Sequence, residues 1–237
     1  MNIASGVDKS DARVRQMFGE IAPQYDRMNH LLSMNVDRYW RFRAVRKLAP
    51  QPGDHVLDVC TGTGDLAFAF EKYGNGRLKI EATDFCPEML EVANQKKKDS
   101  SHINFSEADA QNLPFEDSQF EIVTVAFGLR NVADTDRGLA ELARVCKPGG
   151  KVGILEFSTP RRWPIRPAYQ WYFKNILPRI GQRFASNKSQ AYDYLPSSVG
   201  EFPAYEELAA RIKSAGMTRV KFFPLTFGIA TLYIGVK

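Results

Sequence analysis

The feature that most constrains the fold is a regular alternation of short apolar strands with helices across the middle of the chain. The predicted strands cover residues 55–60, 78–83, 103–106, 120–127 and 152–157, with helices at residues 65–73, 87–97 and 136–146. Parallel strands need a crossover between them, and a helix is the usual crossover. The alternation therefore predicts a doubly wound α/β sheet with helices on both faces.

The two ends of the chain follow a different pattern. Residues 1–50 read as helical, and a turn at Gln51-Pro52-Gly53-Asp54 separates them from the strands. After the last predicted parallel strand, a helix at 205–215 precedes two β-rich runs at 218–223 and 227–236, which are close enough to pair antiparallel. We therefore expect a single domain with a helical N-terminal lid (1–50), a core (51–158), a basic aromatic lid insertion (159–202) and a C-terminal helix and hairpin (203–237).

Several classes of protein are disfavoured by what the sequence lacks. No run approaches the roughly 18 apolar residues of a spanning helix, and the first residues do not resemble a secretory signal. The three cysteines are too scattered for a disulfide framework or a zinc site, and the three histidines show no metal-binding spacing. The expectation is a cytoplasmic protein that needs no metal.

A glycine turn follows the first strand of the core. Residues 62–67, GTGDLA, satisfy G-x-G-x-x-G/A between a strand and a helix, and Asp84 ends the next strand, where it suits a ribose hydroxyl. Taken alone, this pattern fits a nicotinamide dinucleotide enzyme or any other protein that binds a nucleoside cofactor on a doubly wound sheet.

Charge near the turn discriminates between these cofactors. A dinucleotide places its pyrophosphate on the helix N-terminus, where free N–H groups attract an anion. Here the helix begins with Asp65, and Asp58 lies in the preceding strand, so two carboxylates would repel a phosphate. They suit a ligand that carries an ammonium and a sulfonium and no phosphate, and S-adenosylmethionine is such a ligand.

Four motifs extend this interpretation into a family resemblance. Residues 56–64, VLDVCTGTG, resemble the first motif of class I S-adenosylmethionine-dependent methyltransferases. Residues 25–33 (YDRMNHLLS, with Trp40 after them), 127–131 (FGLRN) and 144–150 (RVCKPGG, running into LEFS at 155–158) are similar to signatures of the ubiquinone/menaquinone biosynthesis C-methyltransferases. The resemblance runs from about residue 12 to the C-terminus. It implies a Rossmann-like seven-stranded sheet completed by the C-terminal antiparallel hairpin.

The resemblance also implies a cofactor site. The glycine turn would wrap the methionine part of S-adenosylmethionine, Asp84 would hold the ribose, and Asp109 would accept from the adenine amino group, unless it only caps a loop or helix. The expected cofactor-binding residues are Asp58, Gly62, Thr63, Gly64, Asp84, Asp109 and Ala110. The chain departs from the family at Asp37, where His is usual, and at Ala126, where some members have Ser.

The reaction implied by the resemblance is attack by a ring carbon of a reduced, prenylated quinone on the sulfonium methyl group. Arg130 would stabilise an ionised ring hydroxyl, directly or through a water oriented by Asn131; the alternative is that Arg130 pairs with a structural carboxylate. Tyr25, Asp26 and Asn29 would form the lid edge over the ring, or simply pack helices. His30 is expected to pack rather than act as a base.

The favoured substrate is demethylmenaquinol, with the benzoquinol intermediate of ubiquinone biosynthesis as the alternative. A nucleic-acid methyltransferase is disfavoured, because Gly-Leu-Arg-Asn stands after the fourth strand where amino-directed enzymes typically have an Asn/Asp-Pro-Pro-aromatic motif. Cys86-Pro87 follows the wrong strand for a cytosine-carbon enzyme. A binding module without activity is disfavoured because cofactor and reaction motifs occur together.

The chain has a net charge of +5, and its excess of basic residues lies in one segment. Between Phe157 and Tyr192 the chain has no acidic residue, two of its three tryptophans (Trp163 and Trp171), and seven basic residues: Arg161, Arg162, Arg166, Lys174, Arg179, Arg183 and Lys188. Basic and aromatic side chains together suit the surface of an anionic membrane, where a polyprenyl quinol resides. We expect peripheral contact at the inner face of the membrane, with a solvated basic lid as the alternative; a homodimer is left open.

Overall fold

The computed structural model describes residues 10–176 and 191–237, and a seven-stranded sheet forms its centre. The strand order is β3-β2-β1-β4-β5-β7-β6. Strands β1 to β5 run parallel, while β7 pairs antiparallel with both β5 and β6. The predicted doubly wound sheet with a C-terminal antiparallel hairpin is confirmed. The strands are β1 His55–Val59, β2 Lys79–Asp84, β3 Ile103–Glu107, β4 Phe120–Ala126, β5 Cys146–Phe157, β6 Thr218–Leu225 and β7 Ala230–Val236.

Helices cover both faces of this sheet. They are α1 Asp11–Ile21, α2 Tyr25–Leu32, α3 Val36–Leu48, α4 Asp65–Gly74, α5 Pro87–Lys96, α6 Thr135–Val145, α7 Ile165–Trp171, α8 Ala191–Glu201 and α9 Glu206–Ser214. Side chains of α3 and α4, such as Leu48 and Phe70, form one buried cluster with the sheet. Side chains of α6 and α9, such as Leu142 and Leu208, form another with β1, β4 and β5. Within the part of the chain that is described, no helix is both long and apolar enough to cross a membrane.

Two element boundaries differ from the sequence prediction. The predicted helix ended at residue 146 and the predicted strand began at residue 152, but β5 begins at Cys146 and includes residues 148–150; Phe120 pairs with Cys146 and Ile122 pairs with Lys151. The extra residues on β5 form a bulge, as glycine permits. Pro224, expected to separate the last two strands, lies within β6. It is tolerated there because β6 is an edge strand.

The N-terminal helices lie over the carboxyl ends of the strands. Trp40 of α3 contacts Phe127, which follows β4, and Phe157, the last residue of β5, at ring-centroid distances of 5.9 and 6.0 Å. Its indole Nε1 donates a hydrogen bond of 2.7 Å to Thr226 Oγ1 in the β6–β7 connection. Met17 of α1 packs against Tyr194 of α8. Elements from both ends of the chain therefore enclose space at the edge where the parallel strands end.

Candidate active site

The glycine turn between β1 and α4 is held in a backbone conformation that favours glycine. Gly62 and Gly64 have φ values of +58° and +84°. A Cβ on Gly64 would lie 2.9 Å from the ring of Phe105, so a side chain has no room there. The Gly62 N–H donates to Asp84 Oδ2 at 2.8 Å, and the Gly64 N–H donates to the Thr61 carbonyl at 3.0 Å. The turn and the acid after β2 thus form one hydrogen-bonded unit.

Two buried carboxylates lie beneath this turn. Asp58 accepts hydrogen bonds from Thr61 Oγ1 (2.6 Å) and Thr124 Oγ1 (2.8 Å). Asp84 accepts a second backbone N–H, from Cys86, at 2.9 Å. Burial disfavours the charged form and raises the pKa of each carboxyl to about 6, despite these hydrogen bonds. Both groups therefore change from protonated to ionised just below neutral pH.

A polar cavity opens at the turn. Six of the seven expected cofactor residues line it, namely Asp58, Gly62, Thr63, Asp84, Asp109 and Ala110; Gly64 supports the turn without lining the cavity. The Asp109 Oδ1 atom accepts from the Gln111 N–H at 2.8 Å, as expected of a loop-capping acid, while the residue also faces the cavity. Phe85 and Gln111 line the same cavity and were missed in the sequence, because no motif marks them.

The charges in this cavity fit S-adenosylmethionine. Asp58, Asp65, Asp84 and Asp109 supply four carboxylates to its lining. The Arg41 guanidinium in the same wall is already paired, with Asp37 at 2.5 Å and Asp65 at 3.6 Å. An ammonium and a sulfonium are therefore favoured here and a pyrophosphate is not.

A second cavity, of about 320 Å³, adjoins the first and is mainly apolar. Its wall includes Trp40, Phe127, Phe157, Ile165, Tyr169 and Phe173, from α3, the ends of β4 and β5, α7 and the residues after α7. Phe18, Tyr25, Arg41 and Phe127 line both cavities. A ligand in the apolar cavity can therefore approach one in the polar cavity directly.

Tyr25 lies at this junction, as expected for a residue at the edge of the ring site. Enclosure raises the pKa of its hydroxyl, while the nearby Arg130 charge and a hydrogen bond with Asn29 act in the opposite direction. Asn29 also lines the apolar cavity. The structure thus brings Tyr25, Asn29 and Arg130 into one neighbourhood.

Arg130 is buried, with 4% of its surface exposed, and it is paired. Its Nη1 lies 3.1 Å from Glu156 Oε2 and also donates to the Phe127 carbonyl, and its backbone N–H donates to Glu156 Oε1 at 3.2 Å. This ion pair with Glu156 is the kind of contact that the alternative interpretation of Arg130, as the partner of a structural carboxylate, expected. The same side chain nevertheless lines the apolar cavity, whereas Asn131 lines the polar one.

Asp26 is placed away from the expected ring contact. Its carboxylate accepts from Thr63 Oγ1 in the glycine turn and from Lys96 Nζ at 2.6 Å. Lys96 also lies 2.8 Å from Asp65 Oδ1. Asp26 is in the lining of neither cavity. Its contacts instead tie α2 to the glycine turn and α5.

Asp37, where the family usually has His, takes part in the same network. Its carboxylate lies 2.8 Å from His30 Nδ1 and accepts from Ser33 Oγ at 2.6 Å. Burial acts to raise the pKa of Asp37, but the Ser33 hydrogen bond and the Arg41 charge outweigh it and hold the pKa below its usual value. His30, expected to pack, is thus hydrogen-bonded as well.

His30, Asp37 and Asp65 are close enough together to hold a metal ion. Arg41 and Lys96 already pair with these carboxylates, so an added cation would have to displace them. The cluster fits an ion-pair network better than a metal site.

The basic aromatic segment is described only in part. Arg179, Arg183 and Lys188 lie outside the described residues. Arg161 pairs with Glu206, with Nη1 2.9 Å from Oε1, so its charge is compensated. Trp163 and Trp171 are 84% and 60% exposed. The exposed apolar character expected of this segment is present at both tryptophans.

Comparison with known proteins identifies the family that this chain resembles. A family model described as the ubiE/COQ5 methyltransferase family matches residues 7–237. A ubiquinone/menaquinone biosynthesis C-methyltransferase UbiE from Citrifermentans bemidjiense is 45% identical, over 95% of this chain and 96% of its own. A demethylmenaquinone methyltransferase from Chlorobaculum tepidum is 42% identical, over 97% and 94%. A SAM-dependent methyltransferase structure from Aquifex aeolicus has a TM-score of 0.59 at 18% identity, covering 82% of this chain and 88% of that one, a likeness of fold.

Proposed function

The chain belongs to the ubiE/COQ5 methyltransferase family, and we propose that it methylates a ring carbon of a prenylated quinol, most specifically demethylmenaquinol. It is a methyltransferase with S-adenosylmethionine as its cofactor. The observation that carries the proposal is the meeting of two cavities at Tyr25 and Phe127. One is lined by carboxylates and suits a cationic cofactor, and the other is apolar and suits a ring with a prenyl chain.

In this proposal the cofactor is held by the residues of the polar cavity. Asp58 would accept from the ammonium group, Asp84 would accept from the ribose hydroxyls, and Asp109 with Ala110 would flank the adenine. Gly62 and Thr63 shape the wall beside the methionine part. Two carboxylates that titrate at about pH 6 are ionised at neutral pH, as these roles require.

The remaining residues act on the ring. When bound, S-adenosylmethionine would supply an electrophilic methyl group to the ring carbon, leaving a neutral thioether on the cofactor and one proton released from the ring carbon to water. Arg130 presents a cation to the apolar cavity and favours the ionised ring hydroxyl, and the low polarity of the wall strengthens this effect. Tyr25 and Asn29 fix the edge of the ring at the junction, and Asn131 can orient a water on the cofactor side.

A methyl-transfer assay tests the reaction. Purified protein with S-adenosylmethionine is expected to methylate a short-chain demethylmenaquinol kept reduced, and to leave the oxidised quinone unchanged. The corresponding benzoquinol, run in parallel, distinguishes the menaquinone from the ubiquinone reading. Transfer to RNA but not to either quinol would refute the proposal.

The role of Arg130 has its own test. Arg130→Ala is expected to lower kcat by about 100-fold, the usual effect of removing a donor to a developing oxyanion, with little change in cofactor affinity. Arg219→Ala, an exposed arginine on β6, is the matched control. Equal loss of turnover and cofactor affinity would mean that Arg130 is only structural.

We further propose that residues 1–50 and 159–202 act as lids and that the second lid meets an anionic membrane at its cytoplasmic side. Exposed Trp163 and Trp171 support this, together with Met34, which is 79% exposed and also lines the apolar cavity. A prenyl chain could enter from the bilayer beside them. Sedimentation with liposomes should increase with anionic lipid, and binding that ignores lipid charge would count against the proposal.

A further inference from the structure

The apolar cavity contains a hydroxyl group that the fold itself leaves unsatisfied. Tyr169 lies on α7, is 8% exposed and lines the cavity. Its hydroxyl oxygen is buried and has no hydrogen-bond partner within residues 10–176 and 191–237. A buried hydroxyl without a partner is destabilising, because it has lost its hydrogen bonds to water and gained none in return. Such a group in an otherwise apolar wall is well explained if a ligand atom satisfies it.

Two other polar groups in the same wall are used by the fold. The Tyr172 hydroxyl donates to the Leu32 carbonyl at 3.0 Å, and Thr226 Oγ1 accepts from Trp40 at 2.7 Å. These contacts join elements that enclose the cavity, so the two groups are not available to a substrate unless one of these hydrogen bonds breaks. Tyr169 makes no such link through its hydroxyl to any residue that the structure describes.

The Tyr169 hydroxyl is fixed and protonated. Its ring packs on Phe173 with a centroid distance of 4.3 Å and an interplanar angle of 38°, which holds the side chain in place. Burial raises the pKa of Tyr169 above its usual value, with the nearby Arg130 charge only partly opposing it. The group therefore stays neutral at physiological pH and can donate a hydrogen bond. Arg130 Nε, in the same cavity wall, is likewise buried and has no partner in the described part of the chain.

On the basis of the proposed function, we propose that Tyr169 is a substrate-binding residue that donates a hydrogen bond to the quinol oxygen remote from the methylated carbon. Tyr25 and Phe127 line both cavities and mark where the methyl group must pass. Arg130 donates to the Phe127 carbonyl at this junction, whereas Tyr169 lines the apolar cavity and is not in the lining of the polar one. The two oxygens of a quinol lie at opposite ends of its ring. Holding the remote oxygen orients the ring, while Arg130 acts on the oxygen beside the reacting carbon.

This contact is made before and during methyl transfer alike, so it contributes to substrate binding more than to the chemical step. Tyr169→Phe is expected to raise KM for a short-chain demethylmenaquinol about tenfold, equivalent to about 1.4 kcal/mol, with kcat and cofactor affinity within about twofold. Its Tm should not fall, because the variant removes an unsatisfied buried hydroxyl and leaves the ring in place. Tyr73→Phe on α4, exposed to solvent, is the matched control and should change nothing.

A second substrate separates binding to the remote oxygen from a general effect on the cavity. A prenylated naphthol that keeps only the hydroxyl beside the methyl-accepting carbon lacks the proposed partner of Tyr169. Wild type and Tyr169→Phe should then show the same KM. An unchanged KM for the quinol, or a tenfold rise that persists with the naphthol, would overturn the role of Tyr169 alone. A wild-type protein that methylates no quinol would overturn the proposed function itself.

Discussion

Removing Glu156 tests whether the buried ion pair at the cavity wall supports the fold. Glu156 is 1% exposed and accepts three hydrogen bonds: from Arg130 Nη1 (3.1 Å), from the Arg130 N–H (3.2 Å) and from the Phe157 N–H (3.1 Å). Glu156→Ala removes all three acceptors. It leaves the Arg130 guanidinium, whose side chain is 5% exposed, with the Phe127 carbonyl as its acceptor and with no paired carboxylate among the described residues.

The expected loss is large because one charge stays buried. Breaking a buried pair by removing one partner costs about 3–5 kcal/mol. For a protein of this size each kcal/mol lowers Tm by about 2–4 °C, so Tm should fall by about 6–20 °C. Glu156→Gln keeps the shape and one acceptor oxygen, so it should cost less, about 1–3 kcal/mol.

Urea unfolding followed by circular dichroism measures both variants against wild type. Glu207→Ala, which breaks an exposed pair with Arg211 on α9, is the matched control and should cost less than about 1 kcal/mol. If Glu156→Ala lowers the free energy of unfolding no more than this control does, then water in the cavity already solvates Arg130, and burial does not make the unpaired charge costly. In Glu156→Gln, kcat should fall more than cofactor affinity, because Arg130 loses its orientation.

Three further predictions follow from the site. Burial raises the pKa of Asp58 and Asp84 from 3.8 to about 6, so cofactor affinity measured by calorimetry should weaken as pH falls from neutral to about 5. The stability of the protein without cofactor should change in the opposite direction. These two groups contribute stability below about pH 4, and that contribution is lost as pH rises through about 6. Melting curves without cofactor that show no such loss would contradict this prediction. Lys96→Met removes the cation between the Asp26 and Asp65 carboxylates. It should weaken cofactor binding several-fold and speed proteolysis of the N-terminal helices. An unchanged rate of proteolysis would argue against the role of Lys96 in holding α2 to the glycine turn. Gly64→Ala should cost at least about 1–2 kcal/mol in urea unfolding, because φ is +84° and the new Cβ would lie 2.9 Å from Phe105.

The cofactor side of the site is predictable from sequence because its residues follow strands. The order of strands and helices appears as hydrophobic pattern, and the carboxyl ends of parallel strands meet at one edge of the sheet. Residues 62–67 and Asp84 therefore had to lie near each other, and the Gly62 hydrogen bond to Asp84 is the result. The bulge in β5 could not be predicted in this way, since Pro148 and the two glycines after it read locally as a turn.

The substrate side depends on contacts between distant parts of the chain. Nothing near Arg130 in sequence indicates Glu156, and nothing near Asp26 indicates Lys96, because each pair forms only when separate elements pack. Tyr169 likewise reads as one aromatic residue among several in a basic segment, and what distinguishes it is a buried hydroxyl with no partner among the described residues.

The sequence by itself determined the α/β sheet, the glycine turn and the carboxylates that select a cationic cofactor, since these follow from local pattern and from residue chemistry. Only the tertiary structure decided which polar groups are already paired and which still face the cavity. The physical reason is that a hydrogen bond or ion pair satisfies a buried group wherever its partner lies in the chain, so availability for a ligand is a property of packing.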